Sequence, residues 1–380
     1  MDKRINIENS FKLLYYYWKV LGFYTGFNKY LMLFYDIFVS CIATIAFPAH
    51  LLLGIIYAEN GEIVFINGTI AIAAIACSIK HFLLRQHLNE IPNVVDVLRQ
   101  LDERVQKAED TQYYIKYIWK RSIHMTYFFT IVYFAVFFLA SLTALWTGSL
   151  LYPAFVILDW QDTKWKYWLI VIFQMYGLNM QIVQNLTNDA YGPIAMCALS
   201  GQVHLLARRI ARIGHADIGE GNFAESYSSQ LVACIEDYTL LFRTTRLLER
   251  IISHSYMVQF IAVGINVVVG LFYLLFYADN LLSYIYYIFH IVAIMSELFP
   301  CCYYGSMVQA EFHALSYAIF RSNWLTQPRL FRRNIVIFAQ LSLKDVTVSA
   351  GGMMRIHIDS FFKTAKMGYS LFTVVQSIKQ

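Results

Sequence analysis

Apolar residues are concentrated in seven stretches of the chain, each with the roughly 20 residues that a helix needs to cross a bilayer. The fourth stretch also carries amide side chains and Asp189, and Gly192-Pro193 interrupts its apolar pattern. A helix that polar is expected to face protein or a water-filled cavity rather than lipid. The predicted spans are 37–57, 63–84, 123–147, 168–200, 251–277, 281–308 and 353–378.

Several connections between these spans are long and have helical periodicity. In 223–252 the apolar positions fall on one stripe, so we expect the fourth and fifth spans to continue as helices beyond the membrane. The glycine-rich segment 214–222 separates these two helices. The predicted fold is an all-α integral membrane protein with one seven-helix membrane domain, residues 1–380, that includes a cytosolic helical anchor region. The anchor helices are expected within 85–121, 201–252 and 309–350.

Lysine and arginine are distributed unevenly between the two sides of the predicted domain. The first 29 residues and the connections 80–121, 201–252 and 309–350 hold 24 of them, whereas the other connections and the tail hold 3. Because positive charge is enriched on the cytosolic side, we expect a cytosolic N-terminus and an extracellular C-terminus. A seven-helix receptor that signals through G proteins has its N-terminus outside, so the charge distribution disfavours that alternative.

The composition agrees with a membrane protein and gives no support for an enzyme. The chain is 58% hydrophobic and 14% charged, whereas soluble domains carry about 25% charged residues. It contains no phosphate-binding loop, nucleophile elbow, zinc-protease motif or dinucleotide fingerprint, so we predict no catalytic residue and no cofactor. The six cysteines lack metal-binding spacing and are predicted to be inert thiols. Asn67-Gly68-Thr69 is a glycosylation sequon on the predicted outer side.

The C-terminal part of the chain resembles the signature of insect odorant receptors. FPCCYYGSMVQAEFHALSYAIFRSNW (299–324) is followed by SLKDVTVSAGG and, near the end, by GYSLFTVV. Gly368 stands where the family usually has a serine, and Leu371 stands where an aromatic residue is common. The related gustatory receptors end in a pattern that this chain misses at three points, which favours the odorant branch. The matching residues are Tyr303, Tyr304, Gly305, Glu311, Tyr317, Trp324, Tyr369, Ser370, Phe372 and Thr373.

The resemblance implies an odorant-binding subunit of an odorant-gated, non-selective cation channel in olfactory sensory neurons. Such a subunit assembles with a common co-receptor into a heteromer, expected to be a tetramer, in the plasma membrane of the sensory dendrite. The anchor helices would join the subunits, and the last helix of each subunit would line one pore. The partners would be the co-receptor, membrane lipid and a small volatile organic ligand, with no nucleic acid and no metal.

The last predicted span has the pattern of a pore-lining helix, because residues 363, 367, 371, 374 and 378 share one helical face. The resemblance places Val374 and Ile378 at the apolar constriction of the family, where a ring of apolar side chains closes the pore by excluding water. Lys363 lies on the same face, about 22 Å from Ile378 towards the cytosolic side. There it either faces a wide, water-filled pore mouth or marks the cytosolic boundary of the membrane. The predicted pore and gate residues are Lys363, Leu371, Val374, Gln376 and Ile378.

A volatile ligand needs a dry cavity lined by aromatic side chains with one or two polar groups, and the outer halves of the second, third, fourth and sixth spans can supply it. Glu297 and His290 are seven residues apart on one face of the sixth span, where Glu297 either serves a functional site or bonds a neighbouring helix. The predicted ligand-binding residues are Ile70, Ala74, Tyr133, Phe137, Ser141, Trp146, Phe173, Tyr176, Tyr284 and Tyr287.

Three alternatives to this function remain open at the level of the sequence. The first is a gustatory-type ligand-gated channel that works without the co-receptor. The second is the seven-helix receptor coupled to G proteins, which the charge distribution disfavours. The third is a secondary transporter, which often has paired broken helices in two related halves; the chain shows no second half that repeats the first.

Overall fold

The protein is almost entirely helical in the computed structural model, which describes residues 6–23, 29–58, 60–105, 107–152, 163–215, 223–278 and 281–379. Two π-helical segments, Ser40–Ala46 and Tyr114–Trp119, join α2 to α3 and α6 to α7. The helices are α1 Glu8–Val20, α2 Lys29–Val39, α3 Phe47–Ile56, α4 Gly61–Gln86, α5 Ile91–Asp102, α6 Ala108–Tyr113, α7 Lys120–Thr147, α8 Lys164–Ala211, α9 Phe223–Phe276, α10 Leu281–Arg321, α11 Arg329–Ser342 and α12 Ile358–Lys379.

Five stretches of the described chain are long and apolar enough to cross a membrane by length and composition. They correspond to the first, second, third, fifth and sixth predicted spans. The fourth predicted span forms α8 and the last lies in α12, and neither is among these five. The five stretches are Tyr30–Ile56, Gly61–Gln86, Ala108–Trp146, Tyr227–Phe276 and Tyr284–Arg321.

Helix α8 is the central element of the bundle, and the amide side chains of Gln181 and Gln184 on it bond neighbouring segments inside the protein. The Gln181 amide donates to the backbone carbonyls of Ala43 at 2.8 Å and Ala74 at 3.2 Å. The Gln184 amide donates to the Thr44 hydroxyl at 3.0 Å. Because these amides are buried, each bond avoids the cost of a buried polar group without a partner. The low hydropathy of the fourth predicted span therefore reflects its position inside the protein.

The expected interruption at Gly192-Pro193 does not occur, because α8 runs unbroken through both residues. A proline inside a helix loses one backbone hydrogen bond, but here both residues are buried among neighbouring helices. Gly192 also allows Tyr256 of α9 to approach, since a Cβ at position 192 would lie 2.7 Å from the Tyr256 hydroxyl. Close packing around the proline keeps the helix continuous.

Helices α8 and α9 extend far beyond the thickness of a bilayer, as the periodicity of 223–252 predicts. With 48 and 54 residues, they are about 70 and 80 Å long, against a hydrocarbon core of about 30 Å. Their extensions pack with α5, α11 and the second half of α10. Tyr238 of α9, for example, contacts the ring of Phe338 on α11 at 5.4 Å and that of Phe312 on α10 at 6.1 Å.

The last helix begins five residues later than the predicted span, which started at residue 353. Strands β1 (Ser349–Ala350) and β2 (Met354–Arg355) pair antiparallel there. Gly351 and Gly352 form the turn between them with φ of 59° and 69°, a conformation that favours glycine. The hairpin leads into α12 (Ile358–Lys379), whose first N–H donates to the Ser306 hydroxyl of α10 at 2.9 Å.

Asp102, at the end of α5, holds the N-terminal helix against the bundle. Its carboxylate accepts from the Ile7 N–H at 2.7 Å, the Tyr114 hydroxyl at 2.9 Å and the Gln202 amide at 2.7 Å. Burial raises the pKa of Asp102 to about 7, and these three hydrogen bonds oppose the rise. One side chain thus connects the segment before α1 to α5, the second π-helical segment and α8.

We expect Asp102→Ala to lower the free energy of unfolding by about 2–4 kcal/mol, because it leaves three buried donors without an acceptor. The difference in free energy of unfolding between the unmodified protein and this variant should become smaller as the pH rises from about 4 through 7. Over that range the folded protein releases the Asp102 proton, which the unfolded chain has already lost. Thermal stability of the detergent-solubilised protein at several pH values measures both effects. Asp96→Ala, at a half-exposed position of the same helix, is the control; equal losses for the two variants would contradict the prediction.

Candidate functional site

A cavity of about 180 Å³ lies among α4, α7, α8, α9 and α10. Ile70, Ala74, Val263 and Ile294 contribute to its apolar wall. The polar groups converge from all five helices onto this mostly apolar space, as is common in sites for small organic ligands. The polar lining residues include Lys80, Tyr133, Gln259, Asn266, His290 and Glu297.

The polar end of the cavity is built around a buried ion pair. Lys80 Nζ of α4 lies 2.7 Å from Asp189 Oδ1 of α8, and these side chains are only 3% and 2% exposed. Lys80 also donates to Gln259 Oε1 of α9 at 2.6 Å, and the Tyr133 hydroxyl of α7 donates to Asp189 Oδ2 at 2.6 Å. Burial of an ammonium or a carboxylate is costly unless each has a partner and further hydrogen bonds. Here each charged group has both.

Glu297 of α10 extends this network, which we call the charged cluster: Lys80, Tyr133, Asp189, Gln259 and Glu297. The Gln259 amide donates to Glu297 Oε2 at 3.2 Å, so α10 is connected to α4 through α9. Of the two roles that the sequence left open for Glu297, the structure shows the bond to a neighbouring helix. It also places Glu297 in the cavity wall together with His290.

Three of the predicted ligand-binding residues, Ile70, Ala74 and Tyr133, line the cavity. The other seven lie elsewhere in the described part of the chain. Phe137 packs against the main core and Ser141 is buried, both on α7. Tyr133 lies one turn from Phe137, and it alone of these α7 residues reaches the charged cluster.

The remaining predicted ligand-binding residues are distributed over three helices. Trp146, near the end of α7, is 87% exposed. On α8, Phe173 lies edge-on to a histidine ring of α3 with centroids 5.5 Å apart, and Tyr176 lies 6.0 Å from a phenylalanine ring of α2. On α10, Tyr284 is 43% exposed, whereas Tyr287 is buried and stacks on a tyrosine of α9 with centroids 3.8 Å apart.

Lys80, Gln259 and Asn266 are not among the site residues that the sequence predicts. Lys80 belongs to the connection 80–121, whose charges are predicted to be cytosolic, but its side chain is buried in an ion pair and therefore does not mark the membrane boundary. One feature of the sequence could indicate this ion pair: Lys80 lies inside a predicted span, and the polar fourth span carries an aspartate, Asp189. Gln259 and Asn266 are seven residues apart in an apolar span, which places them on one face of α9.

Asn67 is fully buried in α4, so its amide is not accessible at the surface of this chain. The sequon 67–69 is predicted to lie on the outer side of the membrane. Burial of the acceptor nitrogen removes the access that attachment of a glycan needs, and the structure gives no support to glycosylation at this position.

The predicted pore and gate residues lie on α12, which packs against α9. Lys363 is exposed, whereas the side chains of Leu371, Val374, Gln376 and Ile378 lie outside the described part of the structure. At the contact with α9, a Cβ on Gly264 would lie 3.1 Å from the end of the Met367 side chain. A Cβ on Gly368 of α12 would overlap the Val267 side chain. Glycines on both helices therefore permit a close approach of α9 and α12.

The family model described as 7tm Odorant receptor matches residues 62–369. The chain belongs to this odorant receptor family. Over 384 residues the receptor is 34% identical to Odorant receptor 33b of Drosophila melanogaster, covering 99% of this chain and 98% of that protein. It is 33% identical to Odorant receptor 33a of the same organism over 383 residues, with 100% of both chains covered. Its family is one of membrane receptors rather than of enzymes.

Solved structures share the fold of this odorant receptor. The olfactory receptor OR5 from Machilis hrabei matches with a TM-score of 0.85 at 13% identity, covering 98% of both chains. The structure of that receptor in complex with eugenol matches with a TM-score of 0.77, covering 98% of this chain and 99% of that one. The odorant receptor therefore has the helical membrane fold of an insect olfactory receptor.

We expect Lys80→Met to lower the free energy of unfolding of the odorant receptor by about 3–5 kcal/mol, because it leaves the Asp189 carboxylate buried without its counter-ion. The double variant Lys80→Met/Asp189→Asn removes both charges and should recover most of that loss. Thermal stability of the detergent-solubilised receptor measures both, and Lys366→Met, at an exposed position of α12, is the control. A double variant no more stable than the single one would contradict this interpretation of the pair.

Proposed function

We propose that this odorant receptor is the odorant-binding subunit of a heteromeric, odorant-gated, non-selective cation channel that it forms with a common co-receptor. The ligand is a small volatile organic compound, and it binds in the cavity among α4, α7, α8, α9 and α10. Membership of the odorant receptor family supports the sensory role. The size and mostly apolar lining of the cavity support a small organic ligand.

The observation that carries this proposal is that α9 contacts both the cavity and α12. Val263 and Asn266 of α9 line the cavity, whereas the adjacent Gly264 and Val267 contact α12 at Met367 and Gly368. A ligand that displaces α9 from inside the cavity therefore also displaces the surface on which the proposed pore helix rests. Ligand binding can favour the open pore only to the extent that the ligand binds the open arrangement more tightly.

In the membrane, the N-terminus lies in the cytosol and the C-terminus outside, with seven spans formed by α2–α3, α4, α7, α8, α9, α10 and α12. The receptor is located in the plasma membrane of the sensory dendrite. The strong excess of lysine and arginine in the N-terminal segment and long connections supports this orientation, even without Lys80. The extensions of α8 and α9, with α5 and α11, form the cytosolic anchor that holds subunits together in a tetramer.

The pore is formed by α12 of each subunit. Lys363 lies at its cytosolic mouth, and Val374 and Ile378 form an apolar gate near the outer end, with Leu371 and Gln376 on the same stretch of helix. The exposure of Lys363 in the single chain agrees with a position that only other subunits or water would cover. Because a lysine is unfavourable beside a path for cations, co-receptor subunits are expected to supply part of the pore lining.

The proposal predicts that cells expressing this chain together with the co-receptor give a fast inward current during an odorant panel. The current should require both subunits and survive a block of G-protein signalling, because the conducting pore is formed by the subunits themselves. Whole-cell recording measures it, and cells expressing each subunit alone are the controls. A response abolished by the block would contradict the channel, and an equal current from this chain alone would indicate a gustatory-type channel instead.

The contact between α9 and α12 provides a test of coupling. We expect Gly368→Ala to reduce the maximal odorant-evoked current several-fold, because the added methyl group overlaps the Val267 side chain and overpacking costs about 1–3 kcal/mol. The double variant Gly368→Ala/Val267→Ala makes room for the methyl group and should restore the current. Gly68→Ala is the matched control, since a Cβ there meets nothing within 4 Å. Unchanged current in Gly368→Ala, at equal surface expression, would show that this contact does not transmit the signal.

A further inference from the structure

Two polar atoms in the cavity wall have no hydrogen-bond partner among the described residues: Asn266 Oδ1 on α9 and His290 Nε2 on α10. Both atoms are buried, the Asn266 side chain is 2% exposed, and both residues line the cavity. A buried polar atom without a partner costs about 1–3 kcal/mol. Two such atoms at one cavity therefore indicate a place where a ligand supplies the missing partner.

These two residues lie at the same level of the bundle. Helices α9 and α10 are consecutive and antiparallel, and the Gln259–Glu297 hydrogen bond of 3.2 Å fixes their register. Asn266 and His290 are each seven residues, or two helical turns, from that pair in the direction of the connection between α9 and α10. Two turns return to the same helical face about 10.5 Å away. The two side chains thus face the cavity from neighbouring helices, at a level distinct from the charged cluster.

The charged cluster does not compete for the same ligand group. Its ammonium, carboxylates, amide and phenol already bond one another, whereas the Asn266–His290 pair is open. The cavity wall between the two levels includes the apolar residues Ala262 and Ala293. A ligand in this cavity would therefore contact apolar side chains and two polar atoms without partners, Asn266 Oδ1 and His290 Nε2.

We propose that Asn266 and His290 form a hydroxyl-recognition subsite, which makes the receptor selective for alcohols or phenols; this inference rests on the proposed binding of odorants in this cavity. A hydroxyl donates its proton to Asn266 Oδ1 and accepts the Nε2–H of His290 with its oxygen, which satisfies both atoms at once. An ether, ester, aldehyde or ketone has no hydroxyl proton to donate, so it leaves Asn266 Oδ1 unpaired. Discrimination comes from that unpaired buried group rather than from shape.

The test uses matched pairs of ligands that differ in the hydroxyl proton: primary alcohols of three to ten carbons against their methyl ethers and aldehydes, and substituted phenols against the corresponding anisoles. Concentration–response curves are recorded from cells that express the receptor with the co-receptor, with surface expression verified. For at least one skeleton, the hydroxyl compound is expected to act at about 10-fold lower concentration than its ether. Asn266→Leu should remove that difference while the ether retains its potency.

His290→Gln retains a side chain that can donate to the ligand oxygen and should keep part of the preference, whereas His290→Phe should lose it. Ser255→Ala is the matched control, because Ser255 is also on α9 and also has a buried hydroxyl without a partner among the described residues, but it is not part of the cavity wall. Its curves should match those of the unmodified receptor.

The outcomes separate the subsite from the proposed function. Equal potency of hydroxyl compounds and ethers, a preference that survives Asn266→Leu, or silence towards every alcohol and phenol would each overturn the hydroxyl subsite. Ala293→Phe, which fills the cavity between the two polar levels, should weaken responses to all ligands. If responses persist unchanged in that variant, the cavity itself is not the odorant site and the proposed function fails in that respect.

Discussion

The ion pair between Lys80 and Asp189 fixes the level at which the helices of the bundle meet. Both groups are shielded from solvent, and a buried charge that lost its partner would cost several kcal/mol. Tyr133 and Gln259 complete the hydrogen bonds from two further helices at 2.6 Å each. A slip of any of these helices by one residue, a rise of about 1.5 Å, would break such short contacts. The pair therefore sets the register of the bundle and, with it, the shape of the cavity.

Helix α9 connects this fixed frame to both the cavity and α12. Gln259 ties it to the charged cluster, while Val263 and Asn266 line the cavity further along the helix. Next to these residues, Gly264 and Val267 form the surface on which α12 rests. The helix is thus held at the level of the charged cluster, and at the next level it lines the cavity and contacts α12. A rigid element with one anchored level can tilt about it, which is how a small change in a cavity can become a displacement elsewhere.

Much of the fold could be predicted from hydropathy and periodicity, because bilayer length and helical stripes are strong constraints. The cavity could not, because the chain has 28 Tyr and 29 Phe and periodicity does not tell which apolar face meets lipid, a neighbouring helix or a cavity. Trp146 is an example, because it is a predicted ligand-binding residue whose side chain is 87% exposed in the structure. Lys80 shows another, because a lysine near the end of a span has the same sequence signature whether it marks the boundary or pairs with a buried carboxylate.

Polar residues inside the helices of this bundle serve two purposes that look alike in a sequence. Gln181 and the charged cluster have partners within the chain, so they hold helices together. Asn266 Oδ1 and His290 Nε2 lack partners among the described residues, although they lie only two turns from that cluster. Selection for stability alone would favour an apolar residue at such positions, because an unpaired buried group is costly. An unpaired polar pair beside a satisfied cluster is therefore best explained by a partner that arrives from outside the chain.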